Sequence, residues 1–288
     1  MSDAYRSIWT DLAGYAFDQG YVDAGGIKTR YLHAGTPGNP VLLMLHGTGS
    51  HAEIFSANLG PHSAHFDCYA FDFVGNGRSD KPDRDLEIAD YVDHVRAFMD
   101  ANNIRRAHLL GVSLGSWVAA RFALSHADRA AKFTMVAPSG KVSDPERMKR
   151  LKATRGGSAA DPSWTNIRTM MDRLVHDKTA MFDDMVGCRQ QIYRLPGMKE
   201  AMPRALALQE PDIRERNLIS DADWQRIAAP ALVIGALNDH DADFSDAKDI
   251  AGLIPGSRLV TMAGVGHWPH LERPAEFNPL NIEFLLGG

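Results

Sequence analysis

The sequence predicts an α/β fold: a mostly parallel central sheet with helices on both faces and an inserted helical cap. Two observations carry this. Short β-rich apolar runs recur along the chain, each followed by a glycine-rich turn or a helical repeat. The alternation then stops at Pro138 and resumes at Ala229-Pro230, with a helical, methionine- and arginine-rich stretch between. Strand alternating with helix means a parallel sheet covered on both sides. A chain of 288 residues is long enough for one large core plus an insertion and short for two large domains.

The clearest strand is 41–45, Val-Leu-Leu-Met-Leu, an apolar run of the kind buried on both faces. Residues 68–73, 107–112 and 132–137 follow, and 231–235 and 257–262 come much later. Between them, 87–102 spaces Ile88, Tyr91, Val92, Val95, Phe98 and Met99 at threes and fours, as an amphipathic helix requires. Residues 114–124 and 244–253 read as two more helices. The expected domains are a core of 1–138 and 224–288 and a cap of 139–223 over the mouth of the sheet. Met148, Met170, Met171, Met181 and Met185 fall in that cap. Pro145, Pro162, Pro196, Pro203 and Pro211 should break it into short helices. Residues 156–160, Gly-Gly-Ser-Ala-Ala, are its expected flexible piece.

Hydrophobic residues make up 44% and charged residues 23%, with a formal charge of −5, an ordinary globular balance. It points to neither nucleic acid nor an anionic membrane as partner. No run approaches the roughly 18 apolar residues of a membrane span. Residues 1–20 lack a basic segment followed by an apolar one, so no signal peptide is expected and a cytoplasmic enzyme is the default. Cys68 and Cys188 read as two reduced thiols. No metal or other cofactor is expected.

The sharpest chemical signal is Gly111-Val112-Ser113-Leu114-Gly115, between an apolar strand and a helix. A tight turn there lifts the Ser113 hydroxyl clear of the backbone and leaves no room for side chains at 111 and 115. The helix N-terminus adds partial positive charge. A second signal, Leu45-His46-Gly47-Thr48-Gly49, ends the buried strand. Acyl transfer needs N–H donors aimed at a developing oxyanion. The backbone N–H groups of Leu114 and Thr48 are the candidates, with Gly47 beside the substrate. His46 is expected to order the loop rather than react.

The third signal is Gly264-Val265-Gly266-His267-Trp268-Pro269-His270, after the last strand. His267 is the candidate base, ahead of His270, His240 and His46, and His270 is expected at the surface or behind the site. Asp239, Asp241 and Asp243 all satisfy the chain order Ser, Asp, His. Asp239 lies nearest the strand end and is the candidate acid, fixing the imidazole tautomer. The other two read as loop-solvating carboxylates.

Together these motifs resemble the α/β-hydrolase superfamily over nearly the whole chain. Asp72-Phe73-Val74-Gly75-Asn76-Gly77-Arg78-Ser79 is similar to its structural D-x-x-G-x-G-x-S turn. A serine at 113 separates the chain from dehalogenases and epoxide hydrolases of that superfamily, which use aspartate. Residues 184–197, Asp-Met-Val-Gly-Cys-Arg-Gln-Gln-Ile-Tyr-Arg-Leu-Pro-Gly, resemble a cap helix of the meta-cleavage product hydrolases. Those enzymes cut a carbon–carbon bond in 2-hydroxy-6-oxo-dienoates. The resemblance implies that Arg189 binds the acid end of a small, mostly apolar substrate and that Trp268 flanks the site. It also implies a homo-oligomer. Leu174, Met181, Met185 and Ile192 read as pocket wall or cap core.

Two differences stand out. Val112 occupies a position where that family has asparagine, and the loop 47–53, Gly-Thr-Gly-Ser-His-Ala-Glu, lacks its longer glycine run and polar asparagine. They keep open a carboxylesterase or amidase and, more remotely, a non-catalytic binding protein on the same scaffold.

Overall fold

In the computed structural model, residues 6–287 are described. The start of the N-terminal stretch read for a signal peptide, residues 1–5, lies outside them. Eight strands form one sheet: β1 (Asp18–Asp23), β2 (Lys28–Ala34), β3 (Val41–Leu45), β4 (Asp67–Phe71), β5 (Ala107–Val112), β6 (Ala130–Val136), β7 (Ala231–Ala236) and β8 (Arg258–Met262). Their order is β1-β2-β4-β3-β5-β6-β7-β8. The pairs β1–β2 and β2–β4 are antiparallel and the rest are parallel.

The two-residue period of the strands builds two cores. Leu42 and Met44 face one side of β3 with Leu110, Val112, Leu232 and Ile234. Leu43 and Leu45 face the other with Leu109, Phe133, Met135 and Val233. The helices Ile88–Ala101 and Leu114–Ser125 cover the second side.

The predicted parallel strands are present, with ends displaced by one or two residues. β1 and β2 are absent from the sequence reading. β1 reads Asp-Gln-Gly-Tyr-Val-Asp and is mostly exposed, and β2 mixes Lys28, Thr29 and Arg30 with apolar residues. Neither presents the continuous apolar run that marks a doubly covered strand.

Between β6 and β7 the chain runs through the helices Pro145–Ala160, Trp164–Asp172, Asp183–Tyr193, Met198–Ala205, Pro211–Asn217 and Asp221–Trp224. Met170, Met171, Leu174, Met181, Met185, Ile192 and Met198 pack there in one apolar cluster continuous with a face of the sheet. Two expectations fail in this segment. Residues 156–160 are the last turns of the helix Pro145–Ala160, not a flexible piece: Ser158 and Ala159 are buried, so packing outweighs the glycine penalty. Pro203 lies inside the helix Met198–Ala205 rather than ending it. Both cysteines are free. Among the described residues no helix is long and apolar enough to cross a membrane.

Candidate active site

Four loops leave the C-terminal ends of β3, β5, β7 and β8, and they converge. At the end of β5, Ser113 has φ 55° and ψ −115°, a strained conformation for a residue with a side chain. Its neighbours explain how the turn is tolerated. A Cβ on Gly111 would sit 2.2 Å from the Gly115 carbonyl oxygen, and one on Gly115 would sit 2.0 Å from that of Leu45. Only glycine fits at either position. Ser113 donates its backbone N–H to Val136 at 2.9 Å, which anchors the turn to β6.

The loop after β3 is held by His46. Its Nε2 accepts the Phe73 N–H at 3.0 Å, so Nδ1 carries the proton and donates to the Gly47 carbonyl at 2.7 Å. Burial pushes the imidazole down to about 3, so it stays neutral. Both ring nitrogens are engaged away from Ser113, in keeping with the loop-ordering role. The Asn76 side chain accepts the Gly49 N–H at 2.9 Å, and Tyr193 donates its hydroxyl to the Gly49 carbonyl at 3.0 Å.

After β8, His267 meets the loop after β7. Its Nδ1 lies 2.8 Å from Asp239 Oδ2. The other carboxylate oxygen accepts the backbone N–H groups of Asp241 and Ala242, at 2.7 and 3.0 Å. These bonds lock Asp239 against rotation. Burial lowers the His267 pKa, but the charge and hydrogen bond of Asp239, with the charge of Asp241, outweigh it, and the net shift is upward. Asp241 lies beside Arg150 and Arg173, and Asp243 caps the helix Phe244–Leu253 through the Ser245 N–H. Neither carboxylate bonds to His267. His240 is exposed.

His270 is a correction to the surface reading. It is wholly buried, with Phe55, Trp268 and Phe277 around its ring. Burial holds it neutral, at about 3.

Ser113 and His267 line two adjoining cavities. One is also lined by Thr48, Leu114, Trp117, Met148, Leu151, Leu208 and Arg214. The other shares Thr48 and Leu151 and adds Gly47, Ser50, Arg155, Arg189 and Trp268. No hydrogen bond joins Ser113 to His267 among the described residues; such contacts are often long before substrate closes the site. Leu174, Met181, Met185 and Ile192 line neither cavity and pack in the apolar cluster instead.

Arg189 is wholly buried. It donates Nη2 to the Ser50 hydroxyl at 2.7 Å and lies near the rings of Tyr193 and Trp268, 5.7 and 5.9 Å from their centroids. Its Nε and Nη1 have no partner.

Arg155 is the residue that sequence reasoning missed. A signal was there: Met148, Leu151 and Arg155 recur at spacings of three and four along the helix Pro145–Ala160, so the arginine lies on the inward stripe.

A metal set is weakly indicated. Ligand atoms of His51, Glu53 and Cys188 lie within 4.8 Å of one another. Glu53 is already engaged by His51 at 2.8 Å and Arg30 at 2.6 Å, and the added positive charge opposes a cation.

The chain is 28% identical to a 2-hydroxymuconate semialdehyde hydrolase of Pseudomonas putida, covering 91% of this chain and 92% of that one. It is 26% identical to a monoacylglycerol lipase of Xenopus laevis, covering 92% and 81%. A solved meta-cleavage product hydrolase of Pseudomonas fluorescens superposes with a TM-score of 0.82 at 26% identity, covering 96% and 99%. A family model described as "Alpha/beta hydrolase family" matches residues 42–280, most of the chain. The protein belongs to the alpha/beta hydrolase family and is an enzyme acting on carbon–carbon or ester bonds.

Proposed function

We propose that this enzyme hydrolyses a carbon–carbon bond in a 2-hydroxy-6-oxo-dienoate-like product of aromatic ring opening. The single observation that carries the reading is Arg189, buried, without a carboxylate and lining a cavity with Ser113 and His267. A guanidinium in such surroundings is costly unless an anion meets it, and its fork matches a carboxylate. The names of the relatives, hydrolases of 2-hydroxymuconate semialdehyde and of 2-hydroxy-6-oxo-2,4-heptadienoate, support the same class.

In this reading Ser113 is the nucleophile, His267 its base and Asp239 the acid that fixes the tautomer. With the dienoate in its keto form, Ser113 Oγ adds to the second ketone as His267 Nε2 takes its proton. The backbone N–H groups of Thr48 and Leu114 receive the oxyanion. The carbon–carbon bond then breaks. Its electron pair passes into the conjugated keto acid, and the imidazolium protonates the leaving carbon. Water, deprotonated by the same imidazole, releases the acyl group from Ser113. One water enters and two acids leave. Gly47 and Trp268 flank the substrate. Residues 139–223 act as a cap on the core of 1–138 and 224–288; the cavity linings from Met148, Leu151, Arg155, Arg189, Leu208 and Arg214 support this.

Stopped-flow absorbance with a ring-cleavage dienoate tests the reading. Loss of the chromophore at micromolar enzyme is expected, and its persistence would contradict the proposal. A second reading is a carboxylesterase, favoured by Val112, the short loop after β3 and the lipase relative. It requires p-nitrophenyl esters to be cleaved far faster than dienoates.

A further inference from the structure

Arg189 does not face its cavity alone. Arg155 lines the same cavity, and only 6% of its surface is exposed. Its Nε has no hydrogen-bond partner, like Nε and Nη1 of Arg189. No salt bridge engages either arginine among the described residues. The two cations oppose each other electrostatically: Arg155 disfavours the charged form of the buried Arg189. One carboxylate satisfies one planar fork and leaves the donors of the other guanidinium facing no charged or partly charged oxygen of the ligand. The hydroxyl groups of Ser50 and Ser113 and the indole of Trp268 carry no negative charge to fill that need.

We propose that Arg155 is a specificity-determining residue that, with Arg189, selects a ligand end bearing two adjacent oxygen functions. These are a carboxylate and an oxygen on the neighbouring carbon, as in 2-oxo acids or the enolates of 2-hydroxy-dienoates. Arg189 takes the carboxylate and Arg155 takes the 2-oxygen. Removing a formal or partial negative charge from that oxygen then costs affinity through Arg155 alone. The proposal deepens the functional reading above and rests on this cavity taking the acid end of the substrate.

The test is a binding titration on the full-length Ser113→Ala protein, which turns over no substrate. Calorimetry with 2-oxopentanoate and with pentanoate compares a 2-oxo acid with an acid of the same length lacking the 2-oxygen. The Ser113→Ala protein is expected to bind 2-oxopentanoate at least about tenfold more tightly. Adding Arg155→Gln should reduce that ratio to near one, and adding Arg189→Gln should weaken both acids. Arg155→Lys keeps the charge without the fork and should retain only part of the preference. It serves as the deciding variant should the glutamine variant fail to fold by circular dichroism.

Equal affinity for the two acids in the Ser113→Ala protein, no binding of either, or a preference unchanged by both Arg155 substitutions would overturn the proposal. Failure of the functional reading is distinguishable. An enzyme that binds 2-oxo acids through Arg155 but leaves dienoates intact keeps this inference and loses the reaction. One that cleaves dienoates with no contribution from Arg155 does the reverse.

Discussion

Two buried arginines, on either side of the loop after β3, meet opposite surroundings. Arg30, on β2, places Nη2 2.6 Å from Glu53 and Nη1 3.6 Å from Asp72, and its Nη2 also donates to Gln19 at 2.6 Å. Burial disfavours its charge, but the two carboxylates more than compensate, and the net pKa shift is upward. Asp72 in turn accepts the backbone N–H groups of Ala52 and Arg78, at 2.7 and 2.8 Å. That network braces the loop. Arg189 approaches the loop from the helical segment, donates to the Ser50 hydroxyl, lies near the rings of Tyr193 and Trp268 and has no carboxylate, and burial lowers its pKa. The contrast teaches that a buried charge is not in itself a sign of function. A compensated one belongs to the architecture; an uncompensated one, in a cavity lined by Ser113 and His267, is what the functional proposal rests on.

The largest expected effect is on the chemistry that both regions serve. Ser113→Ala should lower kcat on any cleaved substrate by about 10⁴-fold or more, measured under single-turnover conditions. Next, the two arginines should separate by stability. Arg30→Met leaves Glu53 and Asp72 buried without their cation and should cost about 3–5 kcal/mol in denaturant unfolding. Arg189→Met strands no carboxylate, loses one hydrogen bond and should change stability by no more than about 1 kcal/mol. A comparable loss in both would erase the distinction drawn between them.

Much of this was legible from residue patterns. β3 and β7, which carry two of the site's loops, are continuous apolar runs, and the glycines at 111 and 115 announce the strained turn at Ser113. Asp239 stood out from Asp241 and Asp243 by its position near the strand end, and it alone of the three is bonded to His267. What escaped notice had a physical cause. β1 is mostly exposed and β2 buries the polar Thr29 and Arg30 among its apolar residues, so neither carries the buried-strand signature. Arg155 precedes two glycines, whose local preference against helix is overridden by tertiary packing. His270 reads as polar but packs as a neutral aromatic ring.

A smaller effect sharpens the comparison through pH. His267 must be neutral to accept a proton, and its pKa is raised by Asp239 and Asp241 against burial and Arg155, with His270 held neutral beside it. The acid limb of the kcat/KM profile should therefore lie above the ordinary histidine value of 6.5. Activity is present above that limb and lost as pH falls through it. Arg155→Gln removes a nearby positive charge and should move the limb upward by a fraction of a unit; a downward move would contradict the assigned neighbours.

The most direct test of the distinction is kcat/KM for a ring-cleavage dienoate acid and for its methyl ester, in the native enzyme and in Arg189→Met. The native enzyme is expected to favour the acid by about 10- to 100-fold, the range of a charge-assisted hydrogen bond, and the variant to lose that preference. A native enzyme that cleaves the neutral ester as fast as the acid would contradict the account.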